Sequence, residues 1–275
     1  MSFDLPRAHD DTAEDMIEPG RAYGFFTDTT LCIGCKACEV ACKEWNQLPA
    51  EDQGMSGMSY DNTRDLSATT WRHVAFVEQM EKTSPRWLMM SDVCKHCDPA
   101  PCLEACPTGA IFRTEFDSIV VQQDICNGCG YCVPACPFGV IDVDDVDGKA
   151  HKCTLCYDRL KGGREPACST VCPTESIQFG PLDDLIERAH DRTRDLHARG
   201  QTDAYLYGAP DSPGATGGIE KHNAFFLLLD RPEIYNLPAA PTKPSRRIGP
   251  AFGAGLAAFT GLAVAAAALI GGKRQ

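Results

Sequence analysis

CIGCKACEVAC, residues 32–42, places four cysteines in eleven positions: Cys32, Cys35, Cys38 and Cys42. Comparable groups recur at Cys94, Cys97, Cys102 and Cys106, at Cys126, Cys129, Cys132 and Cys136, and at Cys153, Cys156, Cys168 and Cys172, accounting for all sixteen cysteines of the 275-residue protein. Three groups close on a related phrase, CPTGAI from residue 106, CPFGVI from 136 and CPTESI from 172, in which proline stops the cysteine loop and a short β-prone stretch follows. The first group closes on CKEWN instead. Thiols at this density are not incidental packing, which leaves disulfides, zinc or iron-sulfur centres.

Spacing discriminates among the three. Cysteines three apart rarely reach disulfide geometry, and a disulfide framework spreads its cysteines along the chain. Structural zinc draws on two separated C-x2-C pairs, and a third cysteine only three residues on would crowd a tetrahedral ion. The run C-x2-C-x2-C-x3-C instead offers three thiolates from one wrapping loop to a [4Fe-4S] cubane, while its fourth thiol serves the neighbouring cluster. Two groups therefore supply each other, and four groups supply four clusters. Only about 20 residues separate Cys106 from Cys126, so the second and third groups form one inner module. The first group and the looser C-x2-C-x11-C-x3-C of the fourth pair around it. This assigns Cys32, Cys35, Cys38 and Cys172 to cluster A, and Cys42, Cys153, Cys156 and Cys168 to cluster B. Cluster C takes Cys94, Cys97, Cys102 and Cys136, and cluster D takes Cys106, Cys126, Cys129 and Cys132. The fold class expected is α+β, with two interleaved ferredoxin-like modules of two [4Fe-4S] clusters each. Glycines between the thiols suit a backbone that approaches a cluster closely and donates N–H groups to its sulfurs.

Composition agrees with a folded, acidic protein. Hydrophobic residues make up 43% of the chain, enough for a core, and the formal charge of -12 without a basic run excludes a nucleic-acid binder. No nucleophile with its base, phosphate-binding glycine loop or paired-carboxylate site is recognisable, so the chain is expected to move electrons with no catalytic site of its own. The first 25 residues lack the apolar run of a secretory signal and carry no twin arginine.

Four regions are expected along the chain: an N-terminal arm at 1–24, a double ferredoxin-like domain at 25–180, a helix, strand and tether at 181–245, and a membrane helix with a short tail at 246–275. Within the second region lie an insertion at 45–93 and the inner module at 94–141. TWRHVAFVEQM and PRWLMM alternate as a β-hairpin around a turn at Lys82 to Pro85, and the insertion reads as an interaction surface. PLDDLIERAHDRTRDLHARG aligns Leu182, Leu185, Ile186, Ala189, Thr193 and Leu196 on one helix face, with Gly200 past its end. After the loop GAPDSPGATGG comes the apolar strand AFFLLL, and LPAAPTKPSRR is an extended tether. Ile248 to Gly272 carries no charge, and roughly 20 apolar residues span a bilayer core. Gly249, Gly253, Ala257, Gly261 and Ala265 recur every fourth position, a stripe of small residues that lets another helix approach closely. Lys243, Arg246 and Arg247 before the segment balance Lys273 and Arg274 after it, so charge does not orient it.

Lys36, Lys95 and Lys152 each stand beside a ligand cysteine, where they either offset cluster charge or lie solvated on a loop. His96, inside CKHC, is surplus to a complete thiol count and reads as a polar loop residue or partner contact. His73, His151 and His222 have no motif around them.

Together CIGCKACEVACKEWN, YDNTRDLSATTW, CLEACPTGAI, CNGCGYCVPACPF and KCTLCYDRLKGGREPAC resemble the iron-sulfur (beta) subunit of respiratory, membrane-bound formate dehydrogenases. That family lies within the four-cluster electron-transfer subunits of molybdopterin oxidoreductases. The resemblance implies a heterotrimer: a molybdopterin (Mo or W) catalytic subunit oxidises formate, this chain relays electrons, and a haem b integral membrane subunit, contacted by the C-terminal helix, reduces quinone. It implies as well that the cluster domain lies on the extracytoplasmic face of the cell membrane, exported with a catalytic subunit that bears the twin-arginine signal. The same type of subunit serves other molybdopterin oxidoreductases or a hydrogenase; a zinc-stapled scaffold is the alternative of another class.

Overall fold

The computed structural model describes residues 17–50, 57, 60–80, 85–210, 212 and 218–271. Most of the N-terminal arm, much of the polar stretch at 51–59, the hairpin turn at 81–84, most of the loop at 211–217 and the tail at 272–275 lie outside the described residues. In chain order the strands are β1 (Tyr23–Asp28), β2 (Arg72–Gln79), β3 (Arg86–Val93), β4 (Cys97–Asp98), β5 (Ile111–Arg113), β6 (Ile119–Val121), β7 (Asp142–Val143), β8 (Ala150–His151), β9 (Ile177–Pro181), β10 (Tyr205–Tyr207), β11 (Lys221–His222) and β12 (Ala224–Leu228). The helices are α1 (Ala37–Asn46), α2 (Pro101–Glu104), α3 (Cys132–Ala135), α4 (Tyr157–Lys161), α5 (Ala167–Thr170), α6 (Leu182–Ala198) and α7 (Ile248–Gly271).

YGFFTD and AFFLL are buried along their whole length because both faces of the central sheet are covered. The sheet has the order β10-β12-β1-β9, with β1 parallel to β12 and antiparallel to β9. Successive side chains take opposite faces. Phe25 joins the core that holds Cys38, Cys153 and Cys168, whereas Phe26, Phe225 and Leu227 pack on Leu182, Leu185, Ala189 and Leu196 of α6. The helix face expected from its spacing is thus the buried one, and Gly200 follows with a φ of +89°.

Strand register explains how distant cysteines meet. Thr27 of β1 pairs with Ile177 of β9. Cys32 lies five residues after Thr27 and Cys172 five before Ile177 (32 − 27 = 177 − 172), so both leave the same end of the ladder. The hairpin of β5 and β6 repeats the device: Ile111 pairs with Val121, Cys106 lies five residues before and Cys126 five after (111 − 106 = 126 − 121). The first ladder is closed by residues far apart in sequence, the second by a short loop.

β2 and β3 form the expected hairpin, in register from Arg72↔Val93 to Gln79↔Arg86. Its open end is buried rather than displayed: Arg72, His73, Val74, Ser91 and Val93 are all inaccessible. The hairpin is therefore rooted in the core at that end, and its outer half offers a surface, where Met80 and Trp87 are exposed. The tether also departs from the extended expectation. Leu237 is buried, the Tyr207 hydroxyl donates to the Pro238 carbonyl (2.7 Å), and Pro244–Arg247 forms a 3-10 turn. Glu104 accepts from Lys243 Nζ (2.7 Å) and Ser245 Oγ (2.8 Å), which fastens the tether beside α2. α7 follows at once; its side chains from Ile248 to Ala266 are exposed, and the apolar segment has a mean hydropathy of 1.6.

Candidate metal centres

Four short helices carry the cysteines in i, i+4 pairs, one helical turn or about 6 Å apart. α1 bears Cys38 and Cys42; α5 bears Cys168, with Cys172 just past its end. α2 bears Cys102 with Cys106 following, and α3 opens on Cys132 with Cys136 as the extended residue that caps its end. α1 packs on α5, and α2 on α3. Each helix thereby points one thiol to each of two neighbouring sites.

Cys32, Cys35, Cys38 and Cys172 line one pocket, with Lys36, Val74, Ser91 and Ser176 among its other walls. Cys94, Cys97, Cys102 and Cys136 line a second, together with His96, Phe138 and Lys152. A third is lined by Cys106, Cys126, Cys129 and Cys132. Cys42, Cys153, Cys156 and Cys168 are all buried, and after burial itself it is the Cys153, Cys168 and Cys156 sulfurs that push the Cys42 thiol far up. Neighbouring sets also touch electrostatically. Burial and then Cys94 push the Cys153 thiol up to about 12, and Cys132 is among the sulfurs that, after burial, raise Cys102 to about 12.

The donor set fits a thiolate-bound cluster. All sixteen cysteines are free. Buried thiols with raised pKa values stay protonated alone, and metal binding is what displaces their protons. Cys106 is the exception: burial raises it, but the Thr108 hydroxyl and the N–H groups of Ile111, Thr108 and Ala110 bring it below the ordinary thiol value. Polar groups already aim at sulfur, as Ala150 N–H does to Cys126 Sγ (3.4 Å), Leu155 N–H to Cys153 Sγ (3.4 Å) and Asn46 Nδ2 to Cys42 Sγ (3.6 Å). In the first C-x2-C loop of each group the second intervening residue is left-handed: Gly34 (φ +65°), His96 (+45°), Gly128 (+72°) and Leu155 (+59°). Two of these are not glycine, and backbone strain of this kind persists where a functional site over-determines it. At Gly128 a Cβ would lie 2.1 Å from the Gly148 carbonyl oxygen, so glycine is obligatory there for contact as well as for φ.

The cations and His96 depart from the solvated alternatives. Lys95 is wholly buried, pairs with Asp92, donates to Val93 O (2.9 Å) and lies over the rings of Phe138 and Phe226. Lys152, 2% exposed, donates to the carbonyls of Ile119 and Cys153. Lys36 is half-buried and neutralised by Glu39 and Asp61. His96 is neither a surface loop residue nor a partner contact: it is inaccessible, and burial followed by the Lys152 charge holds its pKa well below the usual histidine value. Its Nδ1 accepts from Ile119 N–H (2.9 Å), which leaves the ring proton on Nε2, a buried donor without a partner among the described residues. A buried orphan donor in a cysteine-lined cavity is what a cluster sulfur would satisfy.

Arg72 is a functional residue that cysteine spacing alone misses. It is 1% exposed, its Nη2 lies 3.3 Å from Cys168 Sγ, and burial, which lowers its pKa, is outweighed by the Cys168, Cys38, Cys153 and Cys42 sulfurs. The period-two pattern of TWRHVAF was the available signal, since it puts Arg72 on the same face as Val74.

Comparison with known proteins agrees with this chemistry. A family model described as a 4Fe-4S dicluster domain matches residues 31–110, and a second of the same description matches 85–182. The formate dehydrogenase iron-sulfur subunit of Haemophilus influenzae is 41% identical over 216 residues, covering 78% of this chain and 68% of that protein. The nitrate-inducible formate dehydrogenase iron-sulfur subunit of Escherichia coli is 42% identical over 217 residues, covering 78% and 71%. The anaerobic dimethyl sulfoxide reductase of Escherichia coli contributes a polypeptide that is 36% identical over 169 residues, covering 62% and 78%. The protein is an iron-sulfur electron-transfer protein with two ferredoxin-like 4Fe-4S dicluster domains and an apolar C-terminal helix. It belongs to the family of formate dehydrogenase iron-sulfur subunits.

Proposed function

We propose that this protein is the electron-transfer subunit of a membrane-bound formate dehydrogenase, relaying electrons from a molybdopterin catalytic subunit through four [4Fe-4S] clusters to a haem b, quinone-reducing membrane subunit. Clusters A to D take the cysteines assigned to them above. The observation that carries the reading is the gathering of cysteines in fours, each set drawn from two helices that also serve its neighbour. The interleaving of an outer module (A and B) around an inner one (C and D) is supported by the pairing of β1 with β9, which brackets everything between them.

Exposure supports a row in the order A, B, C, D. Cys35 of set A and Cys129 of set D are exposed, whereas set B is entirely buried and set C nearly so. Clusters supply one-electron storage, and the ends of a row must approach partners while its middle excludes water. The row also has a polarity. Glu104, between Cys102 and Cys106, anchors the tether that leads into α7, so the D end faces the membrane helix and the A end faces the catalytic partner. α7, at 24 residues about 36 Å long, is long enough to cross a bilayer core, and its exposed apolar surface supports insertion against a membrane partner. By the resemblance to the iron-sulfur subunits of membrane-bound formate dehydrogenases, the cluster domain would lie on the extracytoplasmic face.

The test is to purify the native complex anaerobically, count iron and acid-labile sulfide, and add formate in the presence of a quinone. About sixteen iron atoms per copy of this chain, once the iron held by the partner subunits is subtracted, bleaching of the cluster absorbance by formate and turnover of quinone are expected. Bleaching by hydrogen or by no added donor, with formate inert, overturns the formate assignment; about eight iron atoms removes one module.

A further inference from the structure

Arg72, the first residue of β2, stands between two of the cysteine sets. Its Nη2 donates to Cys168 Sγ (3.3 Å) and its Nη1 to Ser91 Oγ (3.2 Å), and that same hydroxyl lies 3.3 Å from Cys38 Sγ. The guanidinium is stacked over the Phe25 ring at 4.7 Å and shielded from solvent, and no carboxylate pairs with it among the described residues. A permanently charged group buried without an acidic partner is strongly unfavourable unless something else in the site carries the counter-charge. The groups in reach are sulfurs of sets A and B.

We propose that Arg72 is a positioning residue shared by clusters A and B, whose single buried charge raises the reduction potential of both. The inference rests on the four-cluster reading. One arm acts directly on a ligand of B, and the other acts on a ligand of A through Ser91. An electron arriving at either position adds one negative charge and breaks no bond, and its transfer from A to B moves that charge from one arm of the guanidinium to the other. The cation therefore compensates whichever position is reduced and keeps the first step of the relay nearly level. Lys36, also on the wall of set A, is paired with Glu39 and Asp61, so that group taken together supplies no net positive charge.

The test is a potentiometric titration of the native complex followed by EPR, with signal A identified by its perturbation in Cys35→Ser. Arg72→Gln is expected to lower the reduced-to-oxidised ratio of both A and B at least tenfold at the wild-type midpoint, 59 mV for a one-electron couple. Arg72→Lys restores both to within threefold. Because Arg72→Gln is the variant most prone to assemble poorly, Ser91→Ala provides an independent reading: the ratio for A falls while that for B stays. Ratios unchanged in a fully loaded Arg72→Gln protein, or a Ser91→Ala shift confined to B, overturn the proposal. Absence of four cluster signals from the wild-type complex instead overturns the reading beneath it.

Discussion

Replacing Gly128 or Gly130 by alanine separates backbone strain from steric contact within one cysteine loop. Both glycines have a φ of +72° and flank Cys129. Placing alanine in the left-handed region costs about 1–2 kcal/mol at either position. At Gly130 the added Cβ would come no nearer than 4.0 Å to Val143 Cγ2, an ordinary contact. At Gly128 it would lie 2.1 Å from the Gly148 carbonyl oxygen, so the two backbones must separate by roughly 1 Å. Neither side yields easily. Gly148 N–H donates to Asp144 O (2.8 Å), Lys149 N–H donates to Asp147 Oδ1 (2.9 Å), and Asn127 Oδ1 accepts from Cys129 N–H (3.2 Å). The displacement therefore reaches Cys126 and Cys129, whose sulfurs, as ligands of the proposed cluster D, would have to meet iron to within about 0.2 Å. Gly128→Ala should cost roughly 2–5 kcal/mol in all and lose the cluster proposed nearest the tether, with iron falling by about four atoms per copy of this chain. Gly130→Ala should keep its full iron and melt only slightly lower. The assay is iron and acid-labile sulfide analysis with thermal unfolding of the loaded complex. Full iron in Gly128→Ala, or equal loss in both variants, would refute the contact argument.

Two further outcomes follow from the same geometry. Cys42→Ser should perturb the cluster held with Cys153, Cys156 and Cys168 and spare that of Cys32, Cys35, Cys38 and Cys172; Mössbauer or EPR spectra showing the reverse reject the ligand exchange between helices. The tether latch should be sensitive to acid. The Lys243 hydrogen bond, acting against burial and aided by Ser245, holds the Glu104 carboxyl below its usual range. A depressed native pKa means that the latch is fully present above the ordinary value of 4.5 and is lost as pH falls through the native one. The pair is partly exposed and contributes about 1 kcal/mol, so proteolysis of the 238–247 segment in detergent should quicken about fivefold on acidification below the ordinary value. Glu104→Gln should cut at an already raised rate with no such step; a step of equal size in that variant assigns the effect to another group.

Local pattern was enough for much of this protein. The spacing of Cys32 to Cys42 and its repeats identifies thiolate chemistry because a wrapping loop and one helical turn are short-range geometry. The face of Leu182–Ala198, the hairpin of β2 and β3 and the apolar strand Ala224–Leu228 are likewise written in periods of 3.6 and 2. Other features were not legible. Lys95, Lys152 and His96 look in sequence like polar residues on loops, yet all three are buried, because the walls that close over them come from elsewhere in the protein.

What the sequence by itself determined is the set of candidate ligand atoms: sixteen thiols in four repeated groups, with the proline stops and glycines of their loops. Only the tertiary structure decided what surrounds them. Arg72 meets Cys168 across 96 positions of sequence, and Lys243 meets Glu104 across 139. The physical reason is that a ligand's spacing is set by bonds between near neighbours, whereas the field at a buried charge is set by whatever the fold brings within a few ångströms of it.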